Sequence, residues 1–249
     1  MVQLKYFGDN RDYFKYNLIT FIFESSLLDR YVFIPMLTDH RNDNEGKKTP
    51  KYNGDKSLTL YDFINLCQEK RISKWKRWLS PYVTSYQTVE PVDLTYFRDV
   101  SRAKYWGKFK PFMNTARTLI FVDPDTGVET GGPSYLRDKG PEKYIMNDEL
   151  KTLFGWLHSD SILMIYQHLP PYKQRHISAT KKKVAQVKSV CNTELTCAYR
   201  EDDLAFVFVA KSKDLFQQLQ HVPDNYIERS KHQYKDIVQL HSESLQRTQ

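Results

Sequence analysis

Three short clusters in this sequence carry side chains that can move protons or hold charge. The first is Gly8, Asp9, Asn10, Arg11 and Asp12, with Lys15 one helical turn further on; the second is Asp123, Pro124, Asp125 and Gly127; the third is Gln167, His168, Pro170 and Pro171. Carboxylates, a histidine and an amide converging on one crevice suffice for general acid-base catalysis. They also suffice for magnesium held by the oxygens of Asp9, Asp12, Asp123 and Asp125. Each cluster has a plainer reading too. Gly and Asp favour turns and helix caps, so "GDNRD" reads equally as a turn plus N-cap, "DPDTG" is a good turn, and His168 alone suits a structural histidine. A carboxylate at the tip of a buried strand is nevertheless costly without a partner or a task, which singles out Asp123 and Asp125.

What must position these groups follows from periodicity. "RDYFKYNLITFIFESSLL" places Phe14, Leu18, Ile19, Ile22 and Phe23 on one helix face. "RYVFIPML" reads as a buried strand, and the polar, charged segment after it as a long loop. From Ser57 to Lys110 the chain reads as mainly helical. The second half alternates: "TLIFVD" a strand, "NDELKTLFGWL" a helix with Asn147 as N-cap, "SILMIYQH" a strand, and "SATKKKVAQVKSV" a basic helix. "ELTCAYRED" and "LAFVFVA" then form two strands joined at Asp202 and Asp203, followed by the helix "KDLFQQLQHV". Alternating strands and helices imply crossovers and parallel pairing, and the closing strand pair implies an antiparallel edge. The expected fold is therefore a doubly wound, mostly parallel α/β sheet with an antiparallel C-terminal edge. It forms one domain over residues 1–249, with 57–112 as a mainly helical insertion or subdomain. In such sheets ligands sit beyond the C-terminal strand ends, where all three clusters would meet if "LKYF" is also a strand.

Composition narrows the partners. The chain has 249 residues, with 37 Lys and Arg against 30 Asp and Glu, and its net charge of +7 favours a polyanion such as nucleic acid. Between Lys74 and Lys110, Trp75, Trp78, Tyr105, Trp106 and Phe109 alternate with Lys74, Lys76, Arg77, Arg102, Lys104, Lys108 and Lys110. Such a mixture suits an unstacked nucleotide, its rings stacking on bases and its cations meeting phosphates; the same pattern also describes amphipathic helices with their rings in the core. Arg175, Lys181, Lys182 and Lys183 extend the set of candidate nucleic-acid contacts. Cys67, Cys191 and Cys197 are odd in number and lack zinc-knuckle spacing, which points to a reduced, cytoplasmic setting without disulfides. No stretch approaches the roughly 18 apolar residues of a spanning helix, so no membrane is expected.

The blocks "YFGDNRDYFKYNLI", "LIFVDPDTGVE", "KYIMNDEL" and "SILMIYQHLP" resemble a group of bacterial proteins with GD-D-KY, DPD-G and YQH blocks. The likeness covers most of the chain except the middle helices. Their order is also similar to class I methyltransferases of the ribosomal-RNA adenine type, where the aspartate-proline tip continues with a second proline and an aromatic residue. Here Asp125 and Thr126 stand at those positions. "TDHRNDNEG" replaces the close glycine turn that lets backbone approach S-adenosylmethionine, so neither amino-group recognition nor that cofactor is implied. An aspartate-proline tip with a later histidine is loosely similar to uracil-DNA glycosylases. As a whole the chain resembles the anti-phage DNA glycosylases that remove glucosylated hydroxymethylcytosine. That resemblance implies phage DNA as partner, base extrusion and no cofactor. Asp123 or Asp125 would then act on water or the sugar, with Asp9 and Asp12 nearby. Gln167 and His168 would bind the departing base, and Asn10, Arg11, Lys15, Tyr144 and Asn44 would contact substrate. A methyltransferase-like enzyme, a magnesium-dependent nuclease and a non-enzymatic binder are the alternatives.

Overall fold

The computed structural model describes residues 7–38, 58–67, 71–89, 97, 101–130, 140–201, 203–230 and 235–238. The centre is a seven-stranded sheet of β1 (Arg30–Pro35), β2 (Ser85–Thr88), β3 (Thr118–Asp123), β6 (Ile162–His168), β7 (Thr196–Glu201), β8 (Leu204–Ala210) and β9 (Lys235–Val238). The spatial order is β2-β1-β3-β6-β8-β7-β9. The first four run parallel, and β8, β7 and β9 each pair antiparallel to the strand before them in that order. A separate parallel pair joins β4 (Gly127–Val128) to β5 (Tyr144–Ile145). The doubly wound sheet with its antiparallel edge is the fold expected from the alternating elements.

Strands β1, β3, β6 and β8 are buried along nearly their whole length, as central strands covered by helices on both faces must be, whether they pair in parallel (β1, β3 and β6) or antiparallel (β8). Their side chains alternate between two apolar layers. Tyr31, Phe33, Leu119, Phe121, Met164, Tyr166 and Phe206 enter one layer, while Val32, Ile34, Ile120, Val122, Leu163, Ile165 and Val207 enter the other. The first layer is completed by α1 (Asn10–Glu24), α2 (Leu58–Leu66), α3 (Ile72–Leu79) and α8 (Lys213–Ser230). The second is completed by α4 (Arg102–Gly107), α5 (Lys110–Met113), α6 (Asn147–Trp156) and α7 (His176–Cys191).

Two expectations need correction. The described residues within 57–112 are built into the main fold and are not wholly helical: β2 is an edge strand of the main sheet, α2 and α3 cover one face, and α4 and α5 cover the other. A four-residue, half-buried strand such as "SYQT" has no apolar run to announce it. Asn147 is the first residue of α6 and Met146 is its cap, because Glu149 reaches back to accept from the Met146 N–H at 2.8 Å. The expected "LKYF" strand and the polar loop with Asn44 lie outside the described residues. Among the described residues no helix is long and apolar enough to cross a membrane.

Candidate functional site

The chain runs from β1 out to β2 and returns to the opposite side of β1 as β3, so the order reverses between β1 and β3. Ligands of open α/β sheets bind beyond the strand ends at such a reversal. Asp123 stands there, opposite Pro35 in register, and its carbonyl accepts from the Met36 N–H at 3.0 Å. It shares the phase of Leu119 and Phe121, so its carboxylate turns toward the face covered by α1. Only residues 25–29 separate α1 from β1, so the helix runs back along the strand and brings its first turn to the same end of the sheet. In this way residues 108 positions apart meet.

Lys15 Nζ lies 2.8 Å from Asp123 Oδ2 and 3.3 Å from Asp12 Oδ1, over the Tyr166 ring at 4.6 Å from its centroid. Asp12 Oδ2 accepts from the Gly8 N–H at 2.8 Å. All three charged side chains are buried. Burial pushes the Asp12 carboxyl up to about 7 against the pull of Lys15, with Asp9 and Asp123 adding to the rise. Burial likewise raises Asp123, opposed by Lys15. Burial on its own would lower Lys15, but Asp123 and Asp12 hold it above the ordinary lysine range, so it stays an ammonium. Asp123 Oδ1 is fully buried and has no hydrogen-bond partner among the described residues. The cluster thus holds one fixed positive charge, two carboxylates and one unanswered acceptor.

A second group forms the rim. Arg11 Nη2 is 2.9 Å from both His168 Nε2 and Asp203 Oδ2. A guanidinium only donates, so in the contact with Arg11 the His168 Nε2 is the acceptor, and Asp203 Oδ2 lies 3.6 Å from the same nitrogen. Each of these side chains remains about one-third exposed. Asp9 is the N-cap of α1, accepting from the Arg11 and Asp12 N–H groups at 2.8 and 3.0 Å. Asp9 thereby fixes the turn that carries Arg11, Asp12 and Lys15. The structure describes Asn10 only as part of the α1 backbone.

Gln167 and His168 do not act together, because adjacent strand residues face opposite ways. His168 follows Tyr166 toward α1. Gln167 points to the other face, where Oε1 accepts from the Val128 N–H at 3.0 Å and Nε2 donates to the Thr126 and His168 carbonyls. Both of its N–H donors are thereby used on backbone, so the expected base-binding amide is a brace for the loop after β3. Gly127, at φ +135°, makes the approach possible, since a Cβ there would stand 2.4 Å from the Gln167 amide. The second aspartate also diverges from Asp123. Asp125 is buried 3.3 Å from the Lys143 ammonium, beside the buried Tyr144 of β5. Among the described residues no three His, Cys, Asp or Glu side chains assemble into a ligand set for a metal.

The expected nucleic-acid contacts also separate. Trp75, Tyr105, Trp106 and Phe109 are core residues at most 5% exposed, with Trp75 stacked on Tyr16 at 3.7 Å, so these rings are not free to stack on bases. The cations beside them lie on opposite sides of the sheet: Lys74, Lys76 and Arg77 on α3, and Lys104, Lys108 and Lys110 near α4 and α5. Lys183 turns inward, donating to the Val128 and Glu129 carbonyls at 2.8 and 2.6 Å, and burial lowers it to about 8. Arg175, Lys181 and Lys182 are exposed. Of the residues that complete the site, Tyr166 and Asp203 were not anticipated. The acidic turn was visible in sequence, but its pairing with Arg11 spans 192 positions. No known family model matches the chain, and no curated protein matches it.

Proposed function

We propose that this chain hydrolyses an N-glycosidic bond in nucleic acid at the β1/β3 crevice. One observation carries the reading: Asp123 has one oxygen fixed by a permanent ammonium and the other without a hydrogen-bond partner among the described residues, at the strand tip where ligands of such folds bind. When an N-glycosidic bond breaks, its electron pair leaves with the base and positive charge develops on the sugar. A desolvated carboxylate at that carbon stabilises the charge or takes the proton of the attacking water. Asp12, raised by burial toward neutral pH, suits the complementary proton transfer to the departing base. Water then supplies the hydroxyl at the sugar carbon and one proton to the base. Lys15, held as an ammonium, is no nucleophile, so a hydrolytic glycosylase fits better than one forming an imine with the sugar. Arg11 and His168, partly exposed at the rim, are placed to hold the base or a flanking phosphate.

The excess of cations and the resemblance to glycosylases of glucosylated hydroxymethylcytosine make phage DNA in the cytoplasm the first substrate to test. Incubation with unmodified and glucosylated phage DNA in EDTA, followed by alkali, should reveal abasic sites. Their absence on both substrates, with product only after magnesium or S-adenosylmethionine is added, would reject the reading.

A further inference from the structure

We infer that the segment from Leu169 to Lys182, which leaves the rim at His168 and enters α7, is a docking surface for locally unstacked nucleic acid. Three large hydrophobic side chains stand out as exposed among the described residues, and two of them are here: Tyr172 at 56% and Ile177 at 48%. The core has no use for either. The face of α7 toward the sheet is set by His176, Thr180, Val184, Val187 and Cys191, and Ile177 falls outside that stripe. The Arg175 guanidinium lies 5.2 Å from the centre of the Tyr172 ring, which orients the ring while leaving much of it open.

Charge decides the partner. From Ser161 to Thr193 the sequence contains no Asp or Glu but six Lys and Arg, of which Lys173, Arg175, Lys181 and Lys182 are exposed around the two apolar groups. Ile177 and Lys181 are four residues apart and share a helix face, so apolar and cationic groups are presented together. An oriented aromatic ring set among cations fits a polyanion whose flat apolar units can be exposed. Nucleic acid with an opened stack has that chemistry. The surface begins one residue after His168, so a base displaced there lies beside the crevice. The inference deepens the proposed hydrolysis by naming how its substrate docks, and it rests on that reading only for the fate of the displaced base.

The test measures binding alone. A fluorescein-labelled duplex carrying 2-aminopurine opposite a mismatch is titrated with the full chain, with Tyr172→Ala, with Ile177→Ser and with Arg175→Gln, their folding checked by circular dichroism. The full chain should bind and brighten the 2-aminopurine, reporting unstacking. Tyr172→Ala should bind roughly tenfold more weakly with the brightening lost. Arg175→Gln should reduce the salt dependence of binding by about one phosphate contact. Unchanged affinity and brightening in Tyr172→Ala would overturn the inference. So would binding of the full chain to phosphatidylserine vesicles in preference to the duplex, lost in the same variant. Tyr172-dependent unstacking of this duplex, together with no base release from unmodified or glucosylated phage DNA in EDTA, would leave this surface standing and reject the hydrolase reading instead.

Discussion

Lys15 Nζ donates to Asp123 Oδ2 across 2.8 Å, joining the first turns of a helix to the tip of a strand 108 residues later, with both side chains buried. The ammonium is the counter-charge that lets two carboxylates remain in the interior. Lys15→Met should therefore destabilise the fold by about 3–5 kcal/mol, since it removes the ammonium that both buried carboxylates, Asp12 and Asp123, face. Replacing Asp123 by Leu in the same chain should recover part of that loss. Urea unfolding of the two single variants and the double variant gives the coupling, and simple additivity would deny the pair.

The same cluster sets a pH dependence. Burial raises both Asp12, to about 7, and Asp123 above their ordinary range, so the folded chain favours their protonated forms relative to the unfolded chain. Their contribution to stability is whole below the unfolded carboxyl range near 4 and is lost as pH rises through about 7 for Asp12. Asp12→Asn should flatten the fall in melting temperature between those limits. An unchanged slope in that variant would remove Asp12 as its source.

Gly127 and Gly155 should respond oppositely to alanine. At Gly127 the positive φ and the Gln167 amide leave no room for a methyl group, and a loss of about 1–3 kcal/mol is expected. Gly155 lies in α6 with nothing within 4 Å of an added Cβ, so alanine there should stabilise by up to about 1 kcal/mol. Thermal melts of both variants check the pair.

Trp75 separates core from surface. Stacked on Tyr16 and 1% exposed, it should cost about 3–5 kcal/mol when replaced by alanine. A milder Trp75→Leu variant that remains folded should bind DNA as the unaltered chain does. A specific loss of DNA affinity in that variant would restore the stacking role the buried ring argues against.

How far the sequence revealed this arrangement depends on whether the signal was local. The "TLIFVD" strand, the α1 face and the antiparallel pair closing on Leu204 show themselves through periods of two and 3.6. The same period of two requires Gln167 and His168 to face apart. The side of the sheet each helix covers is not local, so α2–α3 and α4–α5 read as one helical block although they cover opposite faces. Nor does "FKYN" reveal that Lys15 is an internal counter-ion, because only the fold brings Asp123 to it. Aromatics among lysines describe a core helix with a solvated back as well as a nucleic-acid surface, and Trp75 and Trp106 proved to be the former.

The most direct measurement is single-turnover base release from glucosylated phage DNA in EDTA, comparing the unaltered chain with Asp123→Asn, both shown to be folded and to bind the DNA. The account predicts abasic sites from the unaltered chain and a rate lowered at least about a hundredfold in the variant. Base release by Asp123→Asn at the unaltered rate would contradict it.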